Sequence, residues 1–431
     1  MRLATTHRAL LLAGASLLLS AGFAAPSFAD PVTMSMLISN EPDTIAVTQG
    51  LITAFEAANP DIKIDLEQRP GGAEGDNMIR TKLATNDMAD VFEYNSGSQL
   101  MGTNPDKFLM DMSQEPWMAN LLDSFKQVVT ANGHIFGAPV QTAMGGGVLY
   151  NKKIYADLGL TVPKSWSEFM ANNAKIKAAG KTAVIQTFGT TWTSQLFILG
   201  DFFNVEKAEP NFAADYTANK VKFATNATVL KGFQHQVDVF KAGYLNADFA
   251  AATYDDGIKM LATGAGAHYP MLTFAIAAFK STYPDNLKDI GFFALPGDDA
   301  KVNGVTTWEP AGFYIPKTSA HPDQAKKFLA FLASKAGCDT EYAAVGATGP
   351  YAVKGCDLPA EVPPAVADLA SYFKADATNA PALEFLSPIK GPALEQITVQ
   401  VGSGISTPAD AGALYDQDVK KQAQQLGLPG W

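Results

Sequence analysis

Nine side chains in this sequence set aromatic rings or hydrogen-bonding groups in short polar stretches: Glu41, Tyr94, Asn95, Gln141, Trp192, Phe274, Trp308, Glu309 and Tyr351. Aromatic faces stack on C–H surfaces, while carboxylates and amides exchange hydrogen bonds with hydroxyls. Together they suit non-covalent capture of a polyhydroxylated molecule such as a sugar. Trp192, in Gly189-Thr190-Thr191-Trp192-Thr193, is expected to face a ligand. So is Trp308-Glu309, because a bulky ring beside an acid after Thr306-Thr307 is awkward to bury. Glu41 and Asn95 read equally well as caps of the helices after them. Trp166, in the first turn of a helix, reads as packing.

Catalytic spacing is harder to find. The five histidines, at 7, 134, 235, 268 and 321, have no His or Cys neighbour at metal-ligand spacing. The sequence holds no G-x-S-x-G elbow and no G-x-x-x-x-G-K-[ST] loop. Gly145-Gly146-Gly147 lacks the lysine that a phosphate loop requires and reads as a backbone feature. No metal, cofactor or catalytic residue is therefore expected. Acidic residues are numerous enough that a glycosidase pair stays open as an alternative. Asp255-Asp256 and Asp298-Asp299 read as solvated loop charges.

The ends and the charge bound the setting. Arg2, His7 and Arg8, the apolar run Ala9 to Leu19 and Ser27-Phe28-Ala29 have the layout of a secretory signal peptide covering residues 1–29. The apolar run is too short to cross roughly 30 Å of hydrocarbon. The roughly 400 residues that follow exceed what one core usually supports and suggest two domains. The formal charge is −11, and loss of Arg2 and Arg8 makes it more negative by two. That balance disfavours nucleic acid and anionic lipid as partners. Cys338 and Cys356 are the only cysteines, which excludes thiolate clusters; in an oxidising compartment they are expected to pair.

These side chains need elements to position them. Val32, Met34, Met36 and Ile38 alternate as a strand, Val47, Leu51, Phe55 and Ala58 recur at helical spacing, and Ile62, Ile64 and Leu66 alternate again. Ala89 to Tyr94 reads as a further strand. Ser165-Trp166-Ser167-Glu168 reads as a capping box, and Ala325, Phe328, Leu329 and Leu332 as one stripe of a later helix. The alternation predicts α/β domains on largely parallel sheets, with ligands taken outside the carboxyl ends of the strands. No flexible linker is present, so the domains are expected to share crossing strands, at Gly137 to Asn151 with backbone freedom at the glycines, and at Phe292 to Pro296.

Three blocks then resemble a known family. The first is Tyr150-Asn151-Lys152-Lys153-Ile154-Tyr155 with Gly159-Leu160, Val162-Pro163-Lys164-Ser165-Trp166 and Glu168-Phe169. The second joins Leu295-Pro296-Gly297, Gly312-Phe313-Tyr314-Ile315-Pro316-Lys317 and Ala325-Lys326-Lys327-Phe328-Leu329. The third is Gly349-Pro350-Tyr351-Ala352-Val353-Lys354-Gly355. In order, they resemble the family 1 extracellular solute-binding proteins, the maltose-binding-protein-like receptors of ABC-type carbohydrate importers. The resemblance implies a two-lobed periplasmic-binding-protein fold of type II, an N-terminal lobe of 30–145 plus 297–336 and a C-terminal lobe of 150–292 plus 350–431. It implies a monomeric, non-enzymatic periplasmic protein that captures a sugar and docks on an inner-membrane permease without entering the membrane. Ligand contacts would be Glu41, Asn95, Trp308 and Glu309 from one lobe and Trp192, Phe274 and Tyr351 from the other, with Gln141 near the crossing. A polyamine or other non-sugar ligand, or a glycoside-acting enzyme, are the alternatives. Two segments depart from the family: Met271-Leu272-Thr273-Phe274 stands where many relatives place a stacking tryptophan, and Asn40-Glu41-Pro42 where many carry an aromatic.

Overall fold

The structure, a computed structural model, describes residues 31–374 and 378–431; the expected signal peptide lies outside the described residues. Alternating apolar residues in Val32–Ser39 build the centre of the first sheet, burying Met34, Met36 and Ile38. That sheet has five strands in the order Ile62–Arg69, Val32–Ser39, Val91–Tyr94, Ala311–Tyr314, Gly137–Val140. The helix Pro42–Ala58 packs on it through Val47, Leu51 and Phe55. The helix Pro322–Leu332 does the same through Ala325, Phe328, Leu329 and Leu332. The second sheet runs Asn379–Pro381, Val305–Trp308, Met144–Asn151, Gly266–Leu272, Thr182–Val184, with Ile290–Ala294 also paired to Met144–Asn151. Separate apolar clusters underlie the two sheets, so the molecule has two lobes.

Both sheets are mixed rather than largely parallel. Val32–Ser39 is parallel to both its neighbours, but Ala311–Tyr314 is antiparallel to both of its own, and Met144–Asn151 is antiparallel to its three partners. In the two sheets every antiparallel pair includes a strand that continues into the other sheet.

Two crossings lie side by side. Gly137–Val140 continues into Met144–Asn151, and Val305–Trp308 continues into Ala311–Tyr314. They pair with each other in both sheets, Thr306 opposite Gly146 in one and Gly312 opposite Pro139 in the other. The second crossing therefore falls at Glu309-Pro310, not at Phe292 to Pro296, which stays in the second sheet as part of Ile290–Ala294 and the turn after it. Residues 305–308, and Trp308 with them, belong to the second lobe, contrary to the expected boundary at 297. Tyr351, Ala352 and Val353 pack in the first lobe's core, where Leu122 donates its N–H to the Ala352 carbonyl at 2.9 Å, so Tyr351 also changes sides. The chain returns to the second lobe before the helix Pro364–Lys374, whose Asp368 and Tyr372 accept the N–H groups of Phe292 and Ala294.

The glycine run works through its missing side chains. A Cβ on Gly146 would lie 2.3 Å from the Trp308 ring, and one on Gly145 2.4 Å from Leu369. The strained backbone lies just upstream, at Gln141, whose φ of 66° is left-handed. Its N–H is held by Glu341 at 3.0 Å. Elsewhere, Ser165 accepts the Glu168 N–H as expected, but Glu168 reaches back to the Lys164 N–H, so only half of the capping box forms. Trp166 is packing: its ring stacks on His235 with centroids 3.7 Å apart.

Cys338, in the helix Lys335–Val345, is joined to Cys356 in a disulfide across Cα atoms 6.2 Å apart. The bridge ties that helix to the Tyr351–Val353 segment within the first lobe. Replacing both cysteines by serine is expected to lower the unfolding free energy by about 3 kcal/mol, from the loop entropy of the unfolded chain. Denaturant titration of the two proteins checks this; equal midpoints would contradict it.

Candidate functional site

A cavity of about 200 Å³ opens between the lobes, and its two walls differ in chemistry. The second lobe supplies rings. Trp192 comes from the short turn Thr191–Gln195, and Phe274 directly follows Gly266–Leu272 and Thr273. Their centroids are 5.8 Å apart, and Tyr254 backs Phe274 at 6.0 Å with a 27° tilt. Trp308 ends the strand Val305–Trp308 and packs with Met144, Leu199, Leu272 and Phe385. Its face over Gly146 is covered and its indole N–H donates to Glu384, so only part of the ring is available.

The first lobe supplies polar groups from the loops after its strands. Glu41 follows Val32–Ser39, Arg69 ends Ile62–Arg69, and Asn95 follows Val91–Tyr94. Gly71 makes room for Glu41: a Cβ there would lie 1.8 Å from the Glu41 Oε1. Gln141 and Glu309 enter from the two crossings. Of the eight expected contacts, seven line this one cavity: Glu41, Asn95, Gln141, Trp192, Phe274, Trp308 and Glu309. Tyr94, considered with them, is buried beneath the cavity floor in the first core. Tyr351 does not line the cleft. It sits behind the crossing with Thr142, Glu341 and Thr348, in contact with a space large enough for about one water.

Sequence reasoning missed several charged groups that line the cavity: Arg69, Asp43, Asp76, Glu93, Glu384, Lys390 and Glu395. Arg69, 4% exposed, pairs with Glu93 at 3.1 Å, donates to the Glu93 and Pro70 carbonyls, and lies over the Tyr94 ring. Glu93 also accepts the Ser39 N–H. Lys390 pairs with Glu384 at 2.9 Å, which holds its ammonium protonated despite burial. Glu395 joins the lobes, accepting Thr191 Oγ1 at 2.6 Å from its own side and the Ala73 N–H at 3.4 Å from the other. The rule that found Glu41 and Asn95, polar residues just after a strand, also points at Arg69. Nothing in the local sequence marks Glu384, Lys390 or Glu395.

Burial, then the negative charge of Glu93, pushes the Glu41 carboxyl up to about 7. Burial, then Glu41, does the same to Asp43. Burial also raises Glu309 and Glu395. Two buried polar atoms on opposite walls lack hydrogen-bond partners, Asp43 Oδ1 and Trp192 Nε1, and the Trp192 indole approaches Glu41 without closing a well-formed bond. Such atoms are costly in a closed site and are satisfied by a ligand that carries its own donors and acceptors. Among the described residues, no group of three or more His, Cys, Asp or Glu could hold a metal ion, and no helix is long and apolar enough to cross a membrane.

Behind the cleft, burial pushes the Glu341 carboxyl up to about 8. A carboxyl raised on folding stabilises below its unfolded value of 4.5, and that contribution is lost as pH rises through about 8. Glu341→Gln copies the protonated form. The variant is expected to melt above the parent at pH about 9 and not above it at pH about 5; thermal unfolding at both pH values checks this, and an equal offset at both would contradict it.

Comparison with known proteins gives the fold and the site a context. Residues 39–337 match the family described as bacterial extracellular solute-binding protein. A multiple sugar-binding protein of Streptococcus mutans is 25% identical over 339 residues, 77% of this chain and 78% of its own. The melibiose/raffinose/stachyose-binding protein MelE of Bacillus subtilis is 23% identical over 312 residues, 70% and 69% of the two chains. Among solved structures, a chitin oligosaccharide binding protein superposes with a TM-score of 0.77 at 19% identity, covering 92% of this chain and 100% of that one. The solute-binding protein RafE in complex with raffinose gives 0.74 at 21% identity, covering 90% and 99%. These two likenesses concern the two-lobed fold.

Proposed function

The chain belongs to the bacterial extracellular solute-binding protein family, and on that premise we propose that it is the capture component of an ABC-type importer, taking a sugar or oligosaccharide into the cleft between its lobes and delivering it to an inner-membrane permease. The observation that carries the reading is the make-up of the cleft: the rings Trp192, Phe274 and Trp308 stand on the second lobe beside Glu384, Lys390 and Glu395, and the first lobe and the crossing face them with Glu41, Asn95 and Gln141. A pyranose offers C–H faces to the first wall and hydroxyls to the second. A ligand that touches both walls favours the closed arrangement through contacts that the open one lacks. The sugar-binding relatives support the same class of ligand.

Capture proceeds without turnover in this reading, and the protein acts as a monomer in the periplasm once residues 1–29 are removed. Its acidic character keeps it soluble there and away from anionic lipid. Contact with the membrane runs through the permease. An oligosaccharide incubated with the protein is expected back intact; new reducing ends would contradict binding alone and favour a glycoside-acting enzyme.

Trp192 is the ring with the most to offer a ligand, since its indole N–H is unpartnered. Trp192→Ala is expected to weaken sugar binding by about 2 kcal/mol or more, about 30-fold. Trp166→Ala, which removes the ring stacked on His235 away from the cleft, is expected to lower the melting temperature and leave the folded protein's affinity unchanged. Calorimetric titration of both variants checks the pair; full affinity in folded Trp192→Ala would remove that ring from the site.

A further inference from the structure

The charges around the cleft do not balance. Seven acids line it, Glu41, Asp43, Asp76, Glu93, Glu309, Glu384 and Glu395, against two bases, Arg69 and Lys390. Each base is already taken: Arg69 by Glu93 and Lys390 by Glu384. Glu395 is occupied by Thr191 and the Ala73 N–H, and Asp76 by Gln99. Glu41, Asp43 and Glu309 remain, on the first lobe and at the crossing, without an ion pair of their own, although the Arg69 charge reaches Glu41 and Ser124 hydrogen-bonds to Glu309. Asp43 is 1% exposed and its Oδ1 has no hydrogen-bond partner. The rings of Trp192 and Phe274 stand on the wall opposite.

We infer that this cleft selects a carbohydrate carrying an ammonium group, with Glu41, Asp43 and Glu309 as the groups that recognise the charge. The inference rests on the carbohydrate reading above and narrows it. A neutral sugar can hydrogen-bond to these carboxyls but brings nothing that stabilises their ionised form. A primary ammonium brings three donors and one positive charge to the same place, and the ring faces of Trp192 and Phe274 favour both the cation and the C–H surface beside it. Protonation fits the same picture. Glu41, facing Glu93, Arg69, Trp192 and Tyr254, and Asp43, facing Glu41, Gln141 and Tyr254, hold protons to about pH 7. An arriving cation displaces those protons, so binding is accompanied by proton release.

The test uses sugars that differ at one substituent: glucosamine, glucose and N-acetylglucosamine, with their disaccharides, and spermidine as an amine without a sugar. Each is titrated calorimetrically into the mature chain at pH about 6.5, where the amines are protonated, in two buffers of different ionisation enthalpy. The expected result is that the amine-bearing sugar binds at least about tenfold tighter than both neutral counterparts, with proton release. In the Glu41→Gln, Glu309→Gln double variant, shown folded by its melting curve, that preference is expected to fall below about threefold. Neutral sugars that bind as tightly, or a preference that survives in the variant, would overturn the inference and leave carbohydrate capture standing. Binding of spermidine but of no sugar, or of no probe at all, would overturn both.

Discussion

The structure depends on a continuity constraint: two adjacent strands each run through both sheets and remain paired to one another on either side. Gly137–Val140 lies beside Ala311–Tyr314 in the first lobe, and Met144–Asn151 beside Val305–Trp308 in the second. Pairing cannot be kept at the bend, so the ladder is broken at 141–143 and 309–310. The cost is met by particular residues. Pro310 needs no ladder donor, Gln141 takes the left-handed backbone with its N–H on Glu341, and Thr142 shares its hydroxyl with Thr348. Both breaks open onto the cleft, which is why Gln141 and Glu309 are cleft residues and bend residues at once.

The two walls answer different physical demands. On the second lobe, Trp308 is locked by Gly146 behind it and Glu384 beside it, and Glu384 is fixed in turn by Lys390. On the first lobe, Arg69 fixes Glu93, and burial, then the Glu93 charge, keeps the Glu41 carboxyl protonated to higher pH than usual. The two buried bases thus act by orienting acids, and the acids and rings they orient line the cleft. The unpartnered polar atoms left over lie on opposite walls, so closure around nothing leaves them unsatisfied and closure around a hydroxylated ligand does not.

The strand and helix periods from Val32 to Leu66, the stripe of Ala325 to Leu332 and the gathering of seven of the eight singled-out residues at one cavity were legible, because each depends on local spacing or on the loop after a strand. Their grouping into lobes was less so. Trp308 was placed in the wrong lobe because the passage at Glu309-Pro310 carries no helix and no linker; only the pairing of Thr306 with Gly146 reveals it. Tyr351 read as a contact residue from its loop, yet lies against Glu341 in the first core. Glu384, Lys390 and Glu395 were invisible for another reason: an ordinary charge becomes a cleft residue only when a helix from the far end of the chain packs beside residue 308 or 191. Gly145-Gly146-Gly147 suggested freedom, whereas the structure uses it for close approach.

The claim on which the rest stands is that the ligand is held by both walls and so closes the lobes. It is tested most directly by the distance between spin labels at Asp87→Cys on the first lobe and Ile405→Cys on the second, both exposed positions. Titration with a bound sugar is predicted to shift the distance distribution to a single, narrower population that saturates with the binding isotherm. A distribution that stays the same from the empty to the saturated protein would contradict it.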